Sequence, residues 1–231
     1  MNETIRKRKS IRKYDPAPLG DAALENVKAQ IAKAAPLYPD IRYSIEIASK
    51  VKGLANVKAP HYLIFGSEDK EGAYENIGFI GQQLDLFFSE SGIGSCWLGM
   101  AKPENSGSHA LPWVIGMAFG NPAEPLHREL SEFKRKPLSA VSEGDDGRLD
   151  AARLAPSAQN AQNWHFVAAG GKIHCYRAKP NPLLGFIFNK FGCIDMGIAL
   201  FHIASESDSF HFSREADAPV RKGLVYMGTV K

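Results

Sequence analysis

The sequence predicts an α+β protein, and three observations carry that prediction. First, short apolar runs bounded by Gly, Pro and Asn recur as buried strands do: His61-Tyr62-Leu63-Ile64-Phe65-Gly66, Pro112 to Gly120, and Leu224 to Val230. Second, residues 74–91 place Ile77, Ile80, Leu84, Phe87 and Phe88 on one helical stripe, the mark of a helix facing a core. Third, a helix-like run from Asp150 to Leu154 meets a strand-like run from Trp164 to Ala169 through the polar turn Ala155-Pro156-Ser157-Ala158-Gln159-Asn160-Ala161-Gln162-Asn163. Pro156 cannot continue the helix, because it lacks an N–H and clashes one turn back.

In chain order, the N-terminus is basic: Ile5-Arg6-Lys7-Arg8-Lys9-Ser10-Ile11-Arg12-Lys13-Tyr14, ended by Pro16 and Pro18. Asp21 is placed to cap a helix with Leu24, Val27 and Ile31 at helical spacing, stopping near Ala35-Pro36. Residues 42–52 alternate too weakly to assign. After the strand at 61–66 and the helix at 74–91, Gly92-Ile93-Gly94 breaks the chain. Residues 126–141 carry Lys134-Arg135-Lys136-Pro137-Leu138, and Ser142 to Gly147 has linker composition. Beyond the turn come a short strand at Ile173–Tyr176, an irregular apolar stretch at 178–193, a second core helix from Asp195 to Ser205, and the strand at 224–230.

The chain has 231 residues, 44% hydrophobic and 23% charged, enough for one real core and typical of soluble globular proteins. A net charge of +3 does not by itself imply a nucleic-acid partner. The basic start is not followed by the apolar segment of a signal peptide. The longest apolar run, Leu111 to Phe119, is far short of the ~20 residues a membrane helix needs. Cys96, Cys175 and Cys193 share no redox or metal spacing, which fits a reducing compartment, and a cytoplasmic location is expected. The histidines have no ligand spacing, so no metal is expected. Ser157 has no evident base for nucleophilic catalysis. Gly92-x-Gly94 lacks the third glycine and the preceding strand of a dinucleotide fingerprint.

Two parts of the chain echo each other. A helix runs into Ala35-Pro36-Leu37 with Ile41 to Ile47 after it; later a helix runs into Ala155-Pro156-Ser157 with Trp164 to Ala169 after it. Ile80-Gly81-x-x-Leu84 likewise pairs with Met196-Gly197-x-x-Leu200. A degenerate repeat is expected, with an N-terminal half at 1–141 and a C-terminal half at 142–231 packed as one compact domain.

The turn string closely resembles the A-P-S-A-x-N-x-Q-P-W segment of the flavin-dependent nitroreductase family, with Asn163 where that family usually has proline. Arg8-Lys9-Ser10-Ile11-Arg12 matches the family's R-x-S-x-R motif, and Lys134 and Lys136 fit its second basic pair. The resemblance implies a sheet rich in antiparallel pairs, surrounded by helices. It implies bound flavin mononucleotide (FMN), with Arg8, Lys9, Ser10 and Arg12 on the phosphate, where a forked guanidinium and a hydroxyl suit an anion with three acceptor oxygens. It places Lys134 and Lys136 near the phosphate or the ring edge, with spacing unable to choose among Lys134, Arg135 and Lys136. It places Leu98 and Gly99 beside the ring, Pro156 and Ala158 lining it, and Ser157 and Asn160 on its pyrimidine edge or ribityl chain. The family's common acidic residue near Gly99 is missing here.

Family members are homodimers with FMN between subunits, one giving the basic motifs and the other the P-S-x-x-N turn. Here the first half has the basic motifs and a decayed turn, and the second has the intact turn. The resemblance is therefore to single-chain nitroreductases that mimic the dimer and keep one complete site, as a monomer or as a homodimer of such chains. The implied activity is transfer of hydride from NADH or NADPH through FMN to a nitroaromatic, a quinone or a similar small acceptor, in ping-pong order, with no side chain required as a catalytic acid or base. Two alternatives stand beside it: an FMN carrier or sensor without turnover, and a nucleic-acid-binding protein using the basic arm. The second lacks the aromatic–basic interleaving of a stacking platform. No membrane or nucleic-acid partner is expected.

Overall fold

Two helices, α3 (Ala73–Glu90) and α5 (Gly185–Ala204), cross at the centre with almost no space between their backbones. A Cβ at Gly78 would collide with the Ile194 carbonyl, and one at Gly197 with the Glu75 carbonyl. Each helix thus presents a glycine to the other's main chain, the close approach that only a residue without Cβ permits. The crossing pairs Gly197 with Gly78, three residues before the Gly81 that the sequence repeat suggests. The computed structural model describes residues 3–53, 57–104, 111–179 and 185–231, with backbone alone over 185–188.

The first half contains α1 (Glu3–Lys7), α2 (Asp21–Lys33), β1 (Tyr43–Ala48), β2 (Val51–Lys52), β3 (His61–Ser67), α3, β4 (Gly94–Leu98), β5 (Lys102–Pro103) and β6 (Trp113–Gly120). The second contains β7 (Ser142–Glu143), α4 (Leu149–Arg153), β8 (Trp164–Ala169), β9 (Lys172–Ala178), α5, β10 (Phe212–Ser213) and β11 (Leu224–Val230). One sheet has the order β1-β3-β6-β4, all antiparallel. The other has the order β10-β11-β9-β8-β7, antiparallel except where β7 runs parallel to β8. Strands β2 and β5 form a separate small ribbon.

The two main sheets are wired alike. Sheet order β1-β3-β6-β4, with α3 between β3 and β4 in the chain, is repeated as β8-β9-β11-β10, with α5 between β9 and β10. The main core joins both halves: Leu63, Phe65, Ile80 and Leu84 pack in one cluster with Trp164, Phe166, Met196 and Leu200. Each such side chain, fully buried, contributes about 1.5–3 kcal/mol relative to exposure.

Strands at 164–169 and 224–230 fall at the predicted residues, and α3 begins one residue early at Ala73. Residues 43–48, which alternate weakly, form the edge strand β1, whose side chains are all half-buried. Three expectations are corrected. Asp21 is not the cap of α2: Gly20 holds that position, and Asp21 lies in the first turn, where its charge faces the positive helix end. The linker expected from Ser142 carries strand β7. The stretch expected to be irregular at 178–193 is helical from Gly185 onward, so α5 starts well before Asp195. A helix enclosed on most sides has no polar face, and hence no amphipathic period to detect. Pro180 to Leu184 lie outside the described residues.

Candidate functional site

The basic arm is laid along the free edge of β4. Ser10 bridges Ser95 in parallel, the Ile11 N–H donates to the Ser95 carbonyl at 2.8 Å, and the Tyr14 hydroxyl donates to the Ile11 carbonyl at 2.8 Å. This leaves Ser10 and Arg12 facing the second half of the chain. Opposite lies the turn that follows α4. Gln159, Asn160 and Gln162 there have φ of 53°, 57° and 50°, the left-handed region that side chains disfavour.

A lattice of hydrogen bonds holds that strain. Asn160 donates to the Lys134 carbonyl at 2.7 Å and accepts from Arg135 at 2.6 Å. The Gln162 N–H donates to Ser157 Oγ at 3.0 Å, and its side-chain oxygen accepts the Lys136 N–H at 2.7 Å. Lys136 Nζ donates to the carbonyls of Ala161 and Gln162 at 2.8 and 3.1 Å. The Ala158 N–H donates to both carboxylate oxygens of Asp195, at 3.0 and 3.2 Å.

Between arm and turn are two cavities that share a wall. The first, of about 410 Å³, is mostly apolar: Cys96, Trp97, Gly99, Met100 and Ile115 face Pro156, Ala158, Phe191, Ile194 and Ile198, with Asp195 among them. The second, of about 700 Å³, is a cationic basin lined by Arg8, Lys9, Arg12, Arg128, Lys134 and Arg135, with His127 and Glu132. Ser10, Arg12, Pro156, Ser157 and Gln159 line both, so the two spaces adjoin.

Arg8 forms the floor of the basin, with 1% of its surface exposed. Its Nε lies 2.9 Å from Asp85 Oδ2 in an ion pair too oblique to be a hydrogen bond, and one terminal nitrogen donates to Ser10 Oγ at 3.1 Å. Its other terminal nitrogen, NH1, is buried with no hydrogen-bond partner among the described residues. Behind it, Asp85 also accepts from Ser95 Oγ at 2.7 Å and Gln82 Nε2 at 3.0 Å. Gln82 continues to His202 Nε2 at 3.1 Å and accepts from the Trp97 indole at 3.3 Å. Burial drives His202 down to about 3, so its ring is neutral; the partners then assign the proton to Nδ1, donated to the Ala151 carbonyl at 2.8 Å.

The basin crowds like charges. Burial, then Arg8, Arg128 and Arg153, pull Arg135 down to about 9, and burial, then Arg8, pull Arg128 down to about 10. Both remain cations near neutrality, held in place without a full set of counter-charges. Arg128 lies 3.9 Å from the centre of the Phe133 ring and donates through Nε to the Arg8 carbonyl at 3.0 Å. An anion in the basin would relieve this repulsion.

Of the residues singled out in the sequence, Arg8, Lys9, Ser10, Arg12, Lys134, Gly99, Pro156, Ser157, Ala158 and Asn160 line one or both cavities. Lys9 is paired with Glu124 at 3.1 Å, and Asn160 spends both ends of its amide on the basic run. Lys136 and Leu98 line neither: Lys136 staples the turn from behind, and Leu98 is buried with Tyr62, Ile64 and Ala118. Of the three basic neighbours at 134–136, Lys134 and Arg135 face the basin. Sequence reasoning missed Asp85, Arg128 and Asp195. For Asp85 and Asp195 the available signal was an acid on a core helix, which burial makes costly unless it has a partner or a task.

Helices packed with antiparallel sheets give this chain a nitroreductase-like fold. The fold is similar to that of a putative nitroreductase from Thermotoga maritima, which matches at a TM-score of 0.66 and 20% identity over 99% of this chain and 90% of that one. The chain belongs to the family described as "Putative TM nitroreductase", whose model matches residues 1–207. More distant likenesses include a nitroreductase family protein from Clostridium difficile 630 (TM-score 0.49, 19% identity, 61% of this chain and 96% of that one). Another is an FMN-dependent nitroreductase from Clostridium difficile R20291 (TM-score 0.44, 14% identity, 58% and 95%). No curated protein matches the sequence. Among the described residues, no helix is long and apolar enough to cross a membrane.

Proposed function

We propose that this oxidoreductase-family chain binds one FMN in the adjoining cavities and uses it to pass hydride from NADH or NADPH to a flat, electron-poor acceptor. The observation that carries this reading is an apolar slot adjoining a cationic basin in which Arg8, Lys9, Arg12, Arg128, Lys134 and Arg135 crowd together. A flavin has the same two parts, a planar apolar ring and a dianionic phosphate. The ring would lie against Trp97, Ile115, Pro156, Ala158 and Ile198, and Arg8, Ser10, Arg12, Arg128 and Arg135 would hold the phosphate. When bound, FMN supplies the hydride chemistry, serving donor and acceptor in turn at one open face. The protein's part is to bind, orient and exclude water. The left-handed turn fixes Ser157 at the junction of the two cavities, and the Asp85–Gln82–Trp97 chain fixes the indole.

The two halves, wired alike and meeting at the site, support a single chain doing the work of a family dimer. The arm and β4 come from one half, and the turn and α5 from the other. A basin that places Arg8 deep, at 1% exposure, supports a small anion over a nucleic-acid backbone.

The test is the visible spectrum of the purified protein after FMN addition and desalting, followed by anaerobic NADH or NADPH. Flavin bands that persist and then bleach are expected. Bands that persist without bleaching would place the protein among flavin carriers or sensors. Loss of the bands from a folded protein would refute the flavin site.

A further inference from the structure

The likeness between halves extends to one hydrogen bond. In the second half, the Ala158 N–H of Pro156-Ser157-Ala158 is received by Asp195 on α5. In the first half, the Tyr38 N–H of Pro36-Leu37-Tyr38 is received at 3.0 Å by Asn76 Oδ1 on α3. Asp195 lies two residues before Gly197, and Asn76 two before Gly78, the glycines of the helix crossing. The two acceptors are thus equivalent positions doing one task, anchoring the second residue after the proline.

What differs is the surroundings. Asn76 and Tyr38 line neither cavity; the Tyr38 ring packs edge-on against Phe212 at 6.2 Å. Asp195 lines the apolar slot and is 5% exposed. An amide suffices for the anchor away from the slot and basin, whereas an acid occupies the position that faces the slot. Both Asp195 oxygens converge on a single N–H, and no salt bridge reaches it among the described residues.

We propose that Asp195 is the proton-bearing positioning residue of the slot: it holds the Ala158 turn and becomes more fully protonated, drawing proton from solvent, as a flavin covers it, so that its protonation and flavin affinity rise together. This rests on the flavin reading above. A ring filling the slot removes the remaining water from a carboxylate that has no cation beside it, which disfavours the charged form. Burial, opposed only by the Ala158 hydrogen bond, already raises the carboxyl to about 7. Among the described residues, the other titratable groups that line the slot are Arg12 and Cys96. Arg12 on the arm lies across it, and Cys96 on β4 is held up by burial. Cys193, on the same helix, is pushed up to about 12, by burial and then Glu75 of α3. His127 lines the basin rather than the slot.

Flavin fluorescence quenching gives the test. FMN is titrated into apoprotein of wild type and Asp195→Asn from pH 6 to 8.5. The amide introduced by Asp195→Asn can still receive the Ala158 N–H, as Asn76 does for Tyr38. The second ionisation of the phosphate, near ~6, is common to both proteins and cancels in the ratio. The wild-type Kd is expected to rise about sevenfold relative to that of the variant across this range, most of the tenfold limit of a one-unit change in Asp195 on binding. A constant ratio overturns the proposal. So does an affinity that improves with pH in wild type alone, because the carboxylate would then be receiving a hydrogen bond from the flavin. No quenching by either protein at any pH refutes the flavin reading itself and takes the proposal with it.

Should the variant not fold, riboflavin, which has no phosphate to ionise, is titrated calorimetrically into wild type at pH 7.5 in two buffers of different ionisation enthalpy. Net proton uptake is expected, and zero uptake or release overturns the coupling.

Discussion

Arg8 and Arg12 occupy the same motif but have different tasks. Arg8 is buried against Asp85, so Arg8→Ala leaves an uncompensated carboxylate in the core and is expected to cost about 3–5 kcal/mol in denaturant unfolding. Arg12 is exposed at the junction of the cavities, so Arg12→Ala is expected to leave stability within about 0.5 kcal/mol while weakening FMN roughly tenfold or more. Equal stability losses for the two variants would contradict the buried pair. Asp195 and His202 carry opposite pH slopes. The folded Asp195 keeps its proton up to about 7 against an ordinary value of 3.8, so its contribution to stability falls as pH rises between them. His202 stays neutral down to about 3 against an ordinary 6.5, so its contribution falls as pH drops below 6.5. The slopes cancel between about 4 and 6.5 in the wild type. In Asp195→Asn the His202 slope stands alone. The variant is expected to gain on wild type up to about pH 7, by on the order of a few kcal/mol, read from urea midpoints at pH 5 and 8.

The helix crossing depends on two residues that have no side chain. Gly197→Ala drives a methyl into the Glu75 carbonyl and is expected to destabilise by about 3 kcal/mol or more, because backbone on both sides cannot yield. Gly92→Ala, where φ is +78° but no atom lies within 4 Å, is strained without being crowded and is expected to cost less, about 1 kcal/mol. Reversal of that order by chemical denaturation would contradict the close crossing. The elements legible in the sequence were those with contrast at their edges. Strands at 164–169 and 224–230 are apolar runs between breakers, and α3 carries a readable stripe. The start of α5 was not legible, since Gly185 to Ala204 is apolar on most faces and follows a proline-rich stretch. The turn was legible as a string because its residues serve the strain that they hold. The role of Lys136 was not: its spacing is the same whether the ammonium faces the basin or staples the carbonyls of Ala161 and Gln162.

At the scale of the whole molecule, the two halves contribute unlike parts to one cleft. The arm and β4 of the first half face the turn and α5 of the second. The reciprocal place, at Pro36-Leu37-Tyr38 and β10, holds the Tyr38 and Phe212 rings, with Phe210 stacked on Phe79 at 5.6 Å nearby. One FMN per chain is therefore expected from the ratio of flavin to protein absorbance at saturation, and two per chain would contradict the single cleft. The position of the cleft between halves was legible only through the repeat. Its chemistry came from residues more than a hundred positions apart, such as Gln82 and His202, whose proximity no local pattern encodes.

The duplicated wiring within one polypeptide has a consequence for how such a protein can change. In a symmetric dimer every substitution appears at both sites, so a residue that suits one cleft is imposed on the other. Here Asn76 and Asp195, or Leu37 and Ser157, are separate codons. One cleft can be filled with aromatic rings for rigidity while its counterpart stays open, and selection can act on each without compromising the other.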